Sequence, residues 1–105
     1  MPNWCYNYLK VVGDDKDVEE FFANCGIEED RLKFNVLVPL DDNDPEFWDY
    51  HKACEVWGTK WDGFNPEFHN DALYFETAWC GPSGWLMAVS ELYPHLEFHH
   101  LAAEP

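Results

Sequence analysis

Three features of this 105-residue sequence predict an α+β fold with element order β-α-β-α-β-β-α-β and an antiparallel sheet. Short runs alternate apolar and polar residues, as half-buried strands do. Between them lie stretches with apolar residues three and four apart, as on one face of a helix. Gly, Pro, Asn and Asp punctuate the changes from one pattern to the other. The chain is long enough for one domain, residues 1–105. Its 47% hydrophobic share, with eight Phe, six Trp and five Tyr, supplies a core, because each aromatic ring buries a large area.

Trp4 to Val12 reads as the first strand, with Cys5, Asn7, Leu9 and Val11 on one face, and Gly13 closes it. Asp14 or Asp15 then caps a helix, with Asp17 in the first turn, where negative charge suits the helix dipole. Val18, Phe21, Phe22 and Cys25 form its apolar face, and Gly26 ends it. Leu32 to Leu40 reads as a second strand, with Leu32, Phe34, Val36 and Val38 sharing a face and Pro39 ending its pairing. A second helix is predicted from Asp44 as N-cap and Pro45 at its first position. Its apolar stripe is Phe47, Tyr50, His51, Cys54 and Trp57.

Trp61 to Phe68 reads as a third strand, interrupted at Pro66. The turn His69-Asn70-Asp71 joins it to a hairpin partner, Ala72 to Trp79, whose Leu73, Phe75, Thr77 and Trp79 share one face. Gly81-Pro82-Ser83-Gly84 starts a third helix with apolar positions Trp85, Leu86, Val89, Leu92 and Tyr93, stopped by Pro94. Leu96, Phe98 and His100 make a short last strand before Leu101-Ala102-Ala103-Glu104-Pro105 trails away. Without an inserted α-β unit the order is β-α-β-β-α-β, the split arrangement of a ferredoxin-like sandwich. Its helices cover one face of the sheet and leave the other open.

MPNWCYNYLKVVGDD at the start, WGTKWD at Trp57–Asp62, YFETAWCGP and LYPHLEFHH resemble stretches of the YubB-like group of plasmid- and phage-borne proteins. The likeness covers nearly the whole chain, and the Trp-Gly-Thr-Lys-Trp run is its most specific part. The resemblance implies a ferredoxin-like domain standing alone and a mobile-element setting. It assigns no chemistry, and no catalytic residue is carried across.

The net charge of −15, from 21 acidic and 6 basic residues, dominates the surface. It argues against direct binding to nucleic acid or an anionic membrane, which need a basic footprint, and it favours a basic partner. No apolar run approaches the ~18 residues of a membrane span. MPNWCYNYLK lacks the basic and apolar regions of a signal peptide. The expectation is a cytoplasmic protein whose Cys5, Cys25, Cys54 and Cys80 are free thiols.

Several constellations fall short of a chemical site. Cys80, His69, His95 and His99 lack the close ligand pairs of a structural zinc site. Cys80 at a helix entry has the setting of an activated thiol; a base is needed beside it, and His51, His69 and His95 are the candidates. Pro82 removes a backbone donor that a phosphate loop at Gly81–Gly84 needs. Trp57, Trp61, Phe64 and Trp79 suit base stacking but have only Lys60 beside them, where stacking proteins line a positive groove. Asp41-Asp42-Asn43-Asp44 lacks the spacing and distal Glu of a calcium loop. No enzyme, metal site or cofactor is therefore expected, with a Cys/His enzyme or metal domain and a dimeric structural module as the alternatives.

The acidic residues fall in two groups. Asp14, Asp15, Asp17, Glu19, Glu20, Glu28, Glu29 and Asp30 bracket the first helix; Asp41, Asp42, Asp44, Glu46 and Asp49 open the next. Duplex DNA carries a charge every ~1.7 Å of axis, so a domain about 30 Å long replaces roughly 18 phosphates. These thirteen side chains are therefore the expected contact surface, provided that they join into a stripe. The expected partner is a basic, nucleic-acid-binding surface of a host defence complex. The protein would act as a DNA mimic without turnover, by analogy with anti-CRISPR and anti-restriction inhibitors, as a monomer or weak dimer.

Overall fold

The computed structural model describes residues 4–44, 46–69 and 72–103. Pro45, Asn70, Asp71, Glu104 and Pro105, expected in turn, helix-start or terminal roles, lie outside them. Six strands and three helices follow in the order β1 (Trp4–Val12), α1 (Asp15–Asn24), β2 (Ile27–Glu28), β3 (Arg31–Leu32), α2 (Tyr50–Val56), β4 (Gly63–His69), β5 (Ala72–Ala78), α3 (Ser83–Leu92) and β6 (Glu97–Ala103). The strands form one sheet in the spatial order β2-β3-β4-β5-β1-β6, and every neighbouring pair is antiparallel. With β2, β3 and α2 set aside, β1-α1-β4-β5-α3-β6 is the ferredoxin-like arrangement. No helix among the described residues is long and apolar enough to cross a membrane.

β1 is, with β5, central in that unit. Its alternation buries Cys5, Asn7, Leu9 and Val11, and the register sets Leu9 opposite Leu73 on one side and His100 on the other. Phe21, Ala53, Trp57, Trp85 and Val89 from the three helices join Leu9, Val11, Leu73 and Phe75 in one core. The opposite sheet face carries Tyr6, Lys10 and Tyr74, which are exposed. The helices thus cover one face, as the sequence predicts.

α1 begins where Asp14 accepts a hydrogen bond from the backbone N–H of Lys16. Gly26 follows its end at φ +108°, and a Cβ there would collide with the Lys33 carbonyl. Phe21 is the residue of α1 that is fully enclosed. Phe22 is only half-buried, a correction to the expected inward pair, and packs edge-on to Phe68 at 5.0 Å.

The insert between α1 and β4 departs most from expectation. Leu32 to Leu40 is not a strand. Pairing stops at Leu32, and the next residues turn, with Val36 N–H donating to Lys33 and Val38 N–H to Phe34. Leu32, Phe34 and Leu40 are buried, yet Val36 is 54% exposed. An extended strand would have put Val36 beside Phe34 on the same face. α2 begins after Asp49, which caps Lys52 N–H, and not after Asp44. Its inward residue is Ala53, and Trp57, the C-cap one turn on, is also buried; Tyr50, His51 and Cys54 are exposed.

Two further differences lie in the hairpin and the last strand. At Trp79 the backbone turns to φ +73°, so the ring leaves the sheet and is 57% exposed, while Ala78 is buried. β6 runs on through Leu101, Ala102 and Ala103, pairing with Tyr8, Asn7 and Tyr6. At Pro66 the β4–β5 register shifts, between Phe64 and Glu67, as a residue without an N–H donor requires.

Candidate functional site

The segment Trp57-Gly58-Thr59-Lys60-Trp61-Asp62 joins α2 to β4, and its six residues hold the insert to the sheet. Trp57 is buried, and its indole N–H donates to the Val38 carbonyl at 2.8 Å, anchoring the loop before α2. Gly58 sits at φ +86°, which favours glycine. Thr59 is buried and donates its hydroxyl to the Ala78 carbonyl at 3.0 Å. The Lys60 ammonium lies 4.4 Å from the ring centre of Trp61 and 4.8 Å from that of Trp79, a cation–π pairing on two rings. Asp62 accepts the backbone N–H of Phe34 at 3.2 Å. Burial pushes the Asp62 carboxyl above its ordinary range, opposed by the Phe34 N–H and by the charges of Arg31 and Lys33. This most distinctive motif is therefore a structural clamp.

The clamp forms one wall of an open cleft of about 910 Å³. Arg31 and Lys33 of the β3 end, Trp48 and Glu46 of the loop, and Trp61 and Phe64 line it, and Glu28 closes one side. The Trp48 indole N–H donates to the Lys60 carbonyl at 2.6 Å, which fixes the loop over the cleft. Arg31 stacks on Phe64 at 5.6 Å, and Lys33 pairs with Glu28 at 3.1 Å. Sequence reasoning missed this cleft because its walls come from the insert, whose path it misread.

The thirteen acidic side chains stand at the surface, with Asp17 and Asp41 half-exposed and the others exposed. Several also hold local structure. Asp14 and Asp49 cap α1 and α2. Asp41 accepts the Asn43 N–H at 2.9 Å, and Asp44 accepts the Glu46 N–H at 3.0 Å. Among the described residues, Glu28 pairs with Lys33 and Asp17 approaches His95 at 3.9 Å. Asp15, Glu19 and Glu20 ride on α1, and Glu29 and Asp30 make the β2–β3 turn, with Glu29 at φ +53°. Asp42 lies on the loop before α2. Glu28 and Glu46 both line the cleft.

The cysteine and histidine constellations resolve into local contacts. Cys5, Cys25 and Cys54 are free thiols. Burial pushes the Cys25 thiol up to about 11, which keeps it protonated. The Cys80 thiol donates to the Gly58 carbonyl at 2.9 Å. His69 lies against Glu67 at 3.2 Å and His99 against Glu97 at 3.3 Å. Among the described residues, no three His, Cys, Asp or Glu side chains come together as a metal site.

A buried polar cluster lies under the β5–α3 turn. Asn7 donates to the Thr77 hydroxyl at 2.9 Å, and Thr77 donates to the Cys80 carbonyl at 2.7 Å. His100 reaches Asn7 from β6. A Cβ on Gly81 would come within 3.1 Å of the Asn7 oxygen, so this turn closes onto the cluster.

Fold and sequence agree on a ferredoxin-like domain. Residues 56–105, from the end of α2 through β6, match a family described as "Ferredoxin-like domain in Api92-like protein". That half supplies β4, β5, α3 and β6, the β-β-α-β part of the unit. No curated protein and no solved structure matches the chain.

Proposed function

We propose that this protein is a non-catalytic binding module that presents its acidic residues to a basic, nucleic-acid-binding surface of another protein. The observation that carries this reading is the exposure of the carboxylates along α1 and the β2–β3 turn, in a chain of net charge −15. Such a surface attracts a basic partner from a distance and repels nucleic acid. The resemblance of its N-terminal and Trp57–Asp62 stretches to YubB-like proteins supports a plasmid or phage setting. A cytoplasmic host defence complex is the partner class that setting suggests, with competition against DNA as the mechanism, by analogy with anti-CRISPR and anti-restriction inhibitors.

The test is capture of the partner from host lysate, followed by its affinity for this protein with and without duplex DNA at two salt concentrations. Competition by DNA and weaker binding at the higher salt are expected. A complex that forms unhindered on DNA-loaded partner would overturn the mimicry mechanism.

A further inference from the structure

We infer that a second copy of this chain adds to the sheet through β6, edge to edge and antiparallel, joining two six-stranded sheets across a two-fold axis. The two edges of the sheet differ sharply. β2, at one edge, is two residues long and runs into the acidic turn at Glu28 and Glu29. β6, at the other, is seven residues long and pairs with β1 on its inner side. Its outer row of backbone N–H and C=O groups has no strand beside it among the described residues. Natural edge strands of that length are usually shielded by Lys, Pro, a bulge or extreme shortness. Glu-Phe-His-His-Leu-Ala-Ala contains neither Lys nor Pro, and its register with β1 runs unbroken from Glu97 to Ala103.

The fit to a second copy follows from length and charge. Strand addition needs an unshielded edge of matching length, and in this molecule that edge is β6 itself. A net charge of −15 opposes self-association almost everywhere on the surface, but β6 carries a single carboxylate, Glu97, at its start. Antiparallel pairing centred on His100 sets Glu97 opposite Ala103, Phe98 opposite Ala102 and His99 opposite Leu101 of the second copy. No like charges face each other in that register, and facing like charges are what destabilise strand pairs. Leu101, 71% exposed on the open face beside Tyr8, gains cover.

Sedimentation equilibrium over a hundredfold concentration range tests this. The mass should double with concentration, and the dimer fraction should rise with salt, because screening relieves repulsion between the two acidic bodies. That sign is opposite to the one expected for an acidic–basic complex, so the two readings fail separately. H99E/L101E places Glu opposite Glu at two positions and should return the mass to the monomer, with the circular dichroism spectrum of the folded chain retained because both side chains are exposed. H99E/L101K places Glu opposite Lys and should restore the dimer. Monomer mass for the wild type throughout, a dimer that survives H99E/L101E, or no restoration by H99E/L101K would overturn the proposal.

Discussion

The Nε2 atom of His100 lies 2.8 Å from the amide oxygen of Asn7, joining β6 to β1 inside the fold. Burial lowers the His100 pKa below its ordinary value of 6.5. The folded state therefore binds a proton here less readily than the unfolded chain does. Stability from this site should be fully present above about pH 6.5 and fall as pH drops below it. Asp62, raised by burial, acts with the opposite sign, lower in the carboxylate range. Denaturant melts between pH 7.5 and 5.5 should show the His100 loss, and His100→Gln should flatten it. An unchanged slope in that variant would assign the loss to another group.

Phe21 and Phe22 are adjacent, yet they should respond very differently to truncation. Phe21 is 0% exposed and meets Phe98 at 5.2 Å and Tyr93 at 5.1 Å. Phe21→Ala should cost about 3–5 kcal/mol. Phe22 is half-buried, and Phe22→Ala should cost roughly half as much. Chemical denaturation of both variants gives the ratio directly; equal losses would contradict the burial seen here.

Thr59→Val keeps the shape of the clamp and deletes its hydroxyl donor. The Ala78 carbonyl then loses the bond it has at 3.0 Å and keeps the one from the Cys80 N–H at 2.9 Å. The loss of one hydrogen bond to an acceptor that keeps another costs about 0.5–1.5 kcal/mol. Thr59→Ser retains the donor and should recover part of that loss. A Thr59→Val protein as stable as the wild type would mean that the hydroxyl is dispensable.

Neutralising Asp15, Glu19, Glu20, Glu29 and Asp30 together, to Asn or Gln, is the direct test of the acidic surface. Single exposed charges contribute little, so the effect should appear only in combination. Affinity for the captured basic partner should fall and lose its salt dependence, while stability stays equal or rises slightly as self-repulsion declines. Asp14 and Asp49 are excluded because they cap helices, and changing them would mix a folding effect with a binding one. Binding that survives the five substitutions would remove this surface from the interface.

The ferredoxin-like unit was legible because its signals come from residues that alternate or repeat over whole elements. Cys5, Asn7, Leu9 and Val11 keep strict parity in β1, and Trp85, Leu86 and Val89 keep helical spacing in α3. The insert was not, for a physical reason. Leu32, Phe34, Val36 and Val38 alternate as a strand would, but the backbone turns after Leu32, burying Phe34 and leaving Val36 exposed. The hydrogen bond from the Trp57 indole to Val38 holds that turn. Trp79 misled in the same way: parity places it inward, but its positive φ and the Lys60 ammonium hold it outside. The acidic residues were visible, but their double use as helix caps and turn formers depends on atoms that spacing does not report.

β1 lies between β5 and β6, and this has a consequence for the order in which the chain can fold. Cys5 pairs with Thr77, and Val11 pairs with Phe98. The first of the described strands to leave the ribosome is thus completed by the last. At about 5–20 residues per second, β1 waits roughly 5–20 s for β6. During that interval Leu9 and Val11 have no finished sheet to enter, whereas the β4–β5 hairpin closes locally and early. Such distant pairings slow folding, and they leave the apolar face of β1 open to wrong partners until its own arrives.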